Sequence, residues 1–430
     1  MRVLWITSDI FSSITTLVKG NYTTGRPWIE PLFNNIVRHK DIQIATLTPV
    51  VDGKFQELYI NDSPHYVIPI KKNDTTSHID TKLAEKYLTI INKLSPDIIH
   101  VHGTEINFGL LRKYVNKDIP IVCSIQGIIP PCYHFLKQSV ANINYKKYRS
   151  IKNILGRGGV DGALRKWKKY APIEKEVFQV NQYFIGRTQW DMAYVTAYNP
   201  ESKYFHGEEI LRRQFYSTNW DINQCERHRI FISSSAYALK GFHVLLKAVG
   251  ILKSKYPNIK IITPLSSVKE DRSRIADFLL SEDYNNYIKK EIKNQKLENN
   301  IELKQSLTAA QMAEEFKKAH VFVLPSFLEN SPNSLGEAML IGTPTVVSPV
   351  GGVLSIVQDE SSTLAFSTDD HVMMAHQIDR FFTNDDLAVK ISSNAKAIAK
   401  ARHNIENTVN QYINIYTSII NSHRRSKVQF

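Results

Sequence analysis

A chain of 430 residues with 43% hydrophobic and 10% aromatic side chains is long enough for two globular cores and too apolar to be disordered. Its formal charge of +13 favours an anionic partner, whether nucleotide phosphate, anionic lipid or nucleic acid, without choosing among them. Cys123, Cys132 and Cys225 lack CxxC spacing, which excludes a disulfide framework, and no apolar run reaches the roughly 18 residues of a membrane span.

In chain order, RVLWIT reads as a buried parallel strand, followed by the loop GNYTTG and the helical spacing of WIEPLFNNIVRH. Short apolar runs then recur between helical stretches: IQIATLT, DIIHVHG, IPIVCSIQG and YFIGRT. A second series begins at HRIFISSS and continues through IKIITPL, NIELKQS, HVFVLPS and TPTVVSPV. This alternation predicts an α/β chain of two doubly wound domains with parallel sheets, facing across a central cleft. The expected boundaries are 1–215 and 216–403, with a C-terminal helix over 404–430 packing back on the first domain.

The most informative stretch is LPSFLENSPNSLGEAMLIGTPTVVSPVGG, residues 324–352. It reads as a strand, a loop ending in the N-cap Ser331 with Pro332 as first helical residue, a helix stopped at Gly342, and a further strand closed by Gly351 and Gly352. Such a helix start is an anion site, and the amides of Asn333, Ser334 and Leu335 are expected to face a diphosphate. Glu329, just before the cap, can reach a sugar on that diphosphate, and Glu337, inside the helix, can accept both hydroxyls of a ribose. Gly351 and Gly352 are expected to let backbone approach a ligand closely.

This segment resembles the donor-site signature of family 4 glycosyltransferases, retaining enzymes of the GT-B fold, and FIGRTQWD, which holds Arg187, resembles a form carried by bacterial relatives that make surface polysaccharides. Glu329 and Glu337 match the family's E-x7-E pattern. The resemblance implies that Glu329 approaches hydroxyls of the donor sugar, that Glu337 binds the ribose, and that Asn333, Ser334 and Leu335 contact sugar and phosphates. SSSAYALKGFHVLLKA resembles the first strand-loop-helix of the donor domain, so Lys240 is expected to neutralise charge on the leaving diphosphate. Ser235 stands where the family usually has an arginine. Gln126 stands where many relatives carry a histidine, and it cannot act as a general base near neutral pH; in the front-face mechanism proposed for the family, a donor phosphate oxygen takes the acceptor proton. Gly25 is the expected close-approach residue of the first glycine-containing loop.

Two readings are open for Arg187: a cationic ligand for the nucleotide that replaces the charge missing at Ser235, or an i,i+4 partner of Asp191. His102 and Glu105 either line the acceptor side or are structural. No D-x-D occurs in the chain, so no metal and no cofactor beyond the nucleotide-sugar donor is expected. Residues 137–180, assigned to the acceptor-side domain, are strongly basic. Over 146–170 basic residues alternate with Ile154, Leu155, Leu164, Trp167 and Tyr170, which suits a surface of anionic lipid. The resemblance therefore implies a cytoplasmic transferase, peripheral on the inner face of a membrane, with a glycan or lipid-linked acceptor and no nucleic-acid partner. A GT-B-fold nucleotide-sugar epimerase and a catalytically impaired relative are the alternatives.

Overall fold

The computed structural model describes residues 1–18, 23–24, 28–72, 74–75, 77–235, 237–264, 282–304 and 307–428. Gly25 lies outside the described residues. The chain divides into two compact units: Met1–Pro130 with Lys169–Leu211 and His403–Phe430, and Pro131–Lys168 with Arg212–Arg402.

The first unit contains β1 (Arg2–Ile6), the two-residue β2 (Asp9–Ile10) and β3 (Thr23–Thr24), β4 (Gln43–Val51), β5 (Gln56–Ile60), β6 (Ser63–Ile70), β7 (Ile98–His102), β8 (Ile121–Ser124), β9 (Tyr183–Gly186) and β10 (Lys203–His206). Eight of these form one sheet in the order β10-β9-β8-β7-β1-β4-β6-β5. It is parallel except for its edge strand β5, which runs antiparallel to β6. β1 shows why the sheet must be covered on both faces. Leu4 and Ile6 enter one apolar core, Val3 and Trp5 the other, so neither side can face water.

The helix Ile405–Val428 covers the Trp5 face. Its Val409, Tyr412, Tyr416, Ile419 and Ile420 recur at helical spacing and are buried there. Trp5 Nε1 donates to the Tyr416 hydroxyl at 3.1 Å, and that hydroxyl also bonds His100 Nδ1 at 2.7 Å.

The second unit contains β11 (Arg229–Phe231), β12 (Lys260–Pro264), β13 (Ile301–Lys304), β14 (Val321–Leu324), β15 (Thr345–Val347) and β16 (Leu364–Ala365) in the order β13-β12-β11-β14-β15-β16, all parallel. Central strands such as VFVL are buried along their whole length. Each unit is therefore a Rossmann-like α/β layer structure, and the loops at the carboxyl ends of its strands are where ligands of such sheets bind.

Two boundaries differ from the sequence expectation. The second unit begins at Arg212 rather than 216, and it includes Pro131–Lys168, the first part of the basic segment assigned above to the acceptor side. Carboxylates explain the second difference. Glu282 and Asp283 accept from the amides of Gly159 and Val160 at the start of the helix Gly159–Val180. Glu282 also takes Lys152 Nζ at 2.6 Å. A buried helix start needs such partners, and these come from more than 120 residues away.

Candidate functional site

Lys240 and Glu329 meet at the carboxyl ends of neighbouring strands. After β11 the chain forms a short 3-10 turn, Ala238–Lys240, ended by Gly241 at φ 67°. After β14 it forms the loop that carries Glu329. The loops are joined through backbone, since Phe327 N–H donates to Leu239 O at 2.8 Å. Lys240 Nζ then donates to Glu329 Oε1 at 2.6 Å, and Ser326 Oγ donates to the same oxygen at 2.7 Å. Burial disfavours the Lys240 charge, but the facing Glu329 carboxylate more than offsets this and holds the lysine pKa above its usual value.

Beyond this loop lies the helix Asn333–Ile341. Its N-cap is Pro332 rather than Ser331, and no side chain caps it. The difference has a consequence for the anion site. Leu335 N–H bonds Pro332 O at 3.0 Å, which leaves Asn333 and Ser334 as the amides of the expected trio open to an anion. Gly342, at φ 93°, ends the helix where expected. Glu337 lies one turn in and is 2% exposed. Burial pushes its pKa up to about 7, even with Arg212 donating to Glu337 Oε1 from Nε at 3.0 Å and Nη2 at 2.8 Å. Arg212 is a site residue the sequence reading did not single out. It lies 125 residues from its partner, and no local pattern marks it.

Gly351 packs against the backbone of the loop that carries Glu329. At φ 54°, a Cβ there would stand 1.9 Å from the Glu329 carbonyl oxygen, and Gly352 N–H donates to that same oxygen at 3.0 Å. The glycine pair thus supports the Glu329 backbone. Ser235 accepts a hydrogen bond from Thr263 Oγ1 at 3.1 Å.

Gln126 and Arg187 are brought together in the first unit. Arg187, 4% exposed, donates from Nη2 to Gln126 Oε1 at 3.2 Å and pairs through Nη1 with Glu209. Glu209 faces the Arg187 charge within the first unit, and Asp191, four residues on, accepts the Arg187 backbone N–H at 2.9 Å and adds its charge nearby. Asp191 belongs to a capping box with Thr188 at the start of the helix Gln189–Tyr198.

His100 is structural, with Tyr416 on one nitrogen and Ser124 Oγ on the other at 2.5 Å. His102 packs against Trp5 with ring centroids 4.5 Å apart, and burial lowers its pKa to about 3, so it is neutral. Glu105 is half-buried in the loop after β7.

Comparison with known proteins decides what this arrangement belongs to. The glycosyl transferases group 1 model matches residues 219–398, which hold the Lys240, Glu329 and Glu337 cluster, and the glycosyl transferase 4-like model matches residues 26–155. The chain belongs to the family 4-like glycosyltransferases. Among proteins similar to this glycosyltransferase is a D-inositol 3-phosphate glycosyltransferase of Corynebacterium urealyticum, 26% identical over 42% of this chain and 41% of that protein. Curated relatives such as this one are matched over less than half of their length. Sucrose-phosphate synthase from Thermosynechococcus elongatus shares the fold at TM-score 0.70 and 14% identity, covering 98% of this chain and 99% of that one. HepE of Anabaena, solved with UDP, does so at TM-score 0.64 and 14% identity, over 97% and 100%. The glycosyltransferase is thus a GT-B protein in both halves.

Proposed function

We propose that this protein is a retaining transferase that moves a sugar from a nucleoside-diphosphate sugar to a glycan acceptor carried on a lipid, for cell-surface polysaccharide. The observation that carries the reading is the Lys240–Glu329 pair beside the helix start that holds Asn333, Ser334 and the buried Glu337. On donor binding, Lys240 exchanges Glu329 for a phosphate oxygen and stabilises the charge that grows there as the glycosidic bond breaks. Glu329, released, accepts from sugar hydroxyls. Glu337, in its ionised form, accepts from the ribose diol, and Arg212 partly offsets the burial that raises its pKa. This assigns the electrostatic work to side chains and amides, without a metal ion.

The lipid-facing part of the reading rests on the basic segment. Residues 131–168 hold nine Lys and Arg against Asp161 alone. Ile154 and Leu155 are 69% and 71% exposed there, beside Lys152 and Arg157. Exposed aliphatic side chains among cations fit the interface of an anionic bilayer. Among the described residues no helix is long and apolar enough to cross a membrane.

The deciding experiment offers labelled nucleotide sugars to the protein with membrane extract and scores lipid-linked product. The proposal expects product with the wild type and loss of it with Glu329→Ala. Nucleotide sugar epimerised with no acceptor present, or product that survives the substitution, would overturn it. In the same series, Leu155→Glu should reduce co-sedimentation with anionic vesicles and leave nucleotide binding intact.

HepE of Anabaena was solved with UDP, which makes UDP the first nucleotide to test. Its affinity should depend on pH through Glu337. Because the pKa is raised to about 7, the carboxylate is ionised above that value and protonated below it. Binding is therefore expected to be strongest above about pH 7 and to weaken as pH falls through 7. Free UDP titrates its own phosphate in a nearby range, so Glu337→Gln supplies the control. Calorimetric Kd values for the variant should be weaker and should lack the Glu337 component of the slope; a profile identical to wild type removes Glu337 from the ribose site.

A further inference from the structure

We infer that a groove in the second unit, lined by residues within 156–167 together with Tyr237 and Ala238, seats the apolar chain of the lipid phosphate that carries the sugar acceptor. This rests on the transferase reading above and adds to it a place for the acceptor's lipid.

Shape supplies the first observation. The cavity measures about 490 Å³, within the range of small-molecule sites, and every residue that lines it belongs to the second unit. Leu136, Ala163, Trp167 and Tyr237 give it apolar and aromatic walls. Trp167 is half-buried and Tyr237 is 43% exposed, so both rings keep surface to offer a hydrocarbon. One groove of this size holds one chain. Its occupant is therefore a single-chain lipid phosphate rather than a two-chain lipid of the bilayer.

Glycine use supplies the second. Gly156, Gly158 and Gly159 have φ of 77°, 71° and 67°, a conformation that residues with a Cβ rarely adopt, so the backbone there requires them. Gly162 has no such need. It lies inside the helix Gly159–Val180, and a Cβ there would meet nothing nearer than the Arg165 tip at 3.9 Å. Glycine inside a helix is less stable than alanine, so folding gives no reason for it. Its missing side chain leaves the groove wide along the helix, where any larger residue would narrow it.

Surroundings supply the third. Gly156 follows Leu155, which is 71% exposed, and Ala238 opens the turn that ends in Lys240; both Gly156 and Ala238 line the groove. A lipid that enters past Leu155 thus has its chain beside the turn that presents Lys240, whose Nζ lies 5.9 Å from the centroid of the Tyr237 ring. The phosphate also finds a partner. Arg165 is exposed, lines the groove and donates from Nη2 to Gly156 O at 2.6 Å, which fixes a guanidinium with five N–H donors at the glycine turn. The carboxylates of the groove are engaged, Glu282 with Lys152 and Asp283 with the Val160 N–H.

Farnesyl phosphate, a soluble single-chain lipid phosphate, is the probe. Equilibrium dialysis with the labelled compound should show saturable binding to the wild type. Gly162→Leu fills the groove at a position with space for a Cβ; affinity should fall by about 10-fold or more while the Kd for UDP is unchanged. Arg165→Gln should weaken farnesyl phosphate about 5-fold and leave farnesol unaffected. Dihexanoyl phosphatidylglycerol, the two-chain control, and inorganic phosphate should not displace the probe. No saturable binding, wild-type affinity in Gly162→Leu, or equal displacement by the two-chain lipid overturns the groove. Should Gly162→Leu lower Tm, Arg165→Gln decides, and unchanged farnesyl phosphate affinity there overturns it. In transfer assays Gly162→Leu should raise the KM for a lipid-linked acceptor and leave that for nucleotide sugar alone. Saturable binding in a protein that transfers no sugar counts against the transferase reading instead, and the dialysis results then decide the groove by themselves.

Discussion

Lys240→Met is expected to lower turnover by about 10²–10³-fold, or about 2.7–4 kcal/mol of transition-state stabilisation, the range seen when one preorganised electrostatic donor is removed. Methionine keeps an apolar stem of similar reach, so packing against the Ala238–Lys240 turn is preserved and the change isolates the charge. The ammonium lies 2.6 Å from Glu329 Oε1, and the two side chains are 23% and 11% exposed, so water screens the pair only partly. Without Lys240, Glu329 keeps the Ser326 hydroxyl at 2.7 Å but loses its counter-charge. Since the two residues act as a pair, their losses should not add. Lys240→Met with Glu329→Gln should be no slower than the worse single variant, measured as kcat with saturating nucleotide sugar. Fully additive losses would mean that the contact is incidental and that each residue meets the substrate independently.

The parts of this site that the sequence reveals are those where chemistry and chain position coincide. Glu329, the helix start and Glu337 lie within nine residues, and each carries a local signal: a cap region, a glycine stop, a flanking apolar strand. Lys240 is legible because a strand-loop-helix surrounds it. Arg212 is not, because its relation to Glu337 exists only once a helix start and a distant loop are folded together. The same distinction holds for the fold. Central strands such as VFVL and, after Arg2, the VLWI of β1 are apolar and stand out, whereas β5 is half-exposed along its length and β6 contains Pro64 and Pro69. β5 is the edge strand and needs little apolar surface, while β6, paired with both β4 and β5, carries two prolines that read as turn signals, so both sequences resemble loops. The basic segment is a third case: its composition is plain, but its assignment to the second unit depends on Glu282 and Asp283, whose carboxylates show nothing of their partners in sequence.

Gly351→Ala should be among the most damaging single-methyl additions in the second unit. The segment from Pro325 to Glu329 is held between two glycines: a Cβ on Gly241 would stand 1.8 Å from Pro325 O, and one on Gly351 would stand 1.9 Å from Glu329 O. Both obstacles are backbone oxygens, which cannot rotate aside as a side chain would. At Gly351 the positive φ of 54° adds roughly 1–2 kcal/mol for any residue with a Cβ. Displacing the Glu329 carbonyl would also weaken its bond from Gly352 N–H, at 3.0 Å. A total above about 3 kcal/mol is expected, which for a unit of this size lowers Tm by about 6–12 °C. Activity should fall further than stability predicts, since the residue pushed aside is the partner of Lys240. Gly162→Ala is the contrast. That glycine lies inside the helix Gly159–Val180, and a Cβ there comes no nearer than 3.9 Å to the Arg165 tip, so the change should raise stability by about 0.5–1 kcal/mol. Equal thermal shifts for the two variants would show that the loop carrying Glu329 yields easily, and the glycine pair would then have no part in holding the Glu329 carboxylate against Lys240.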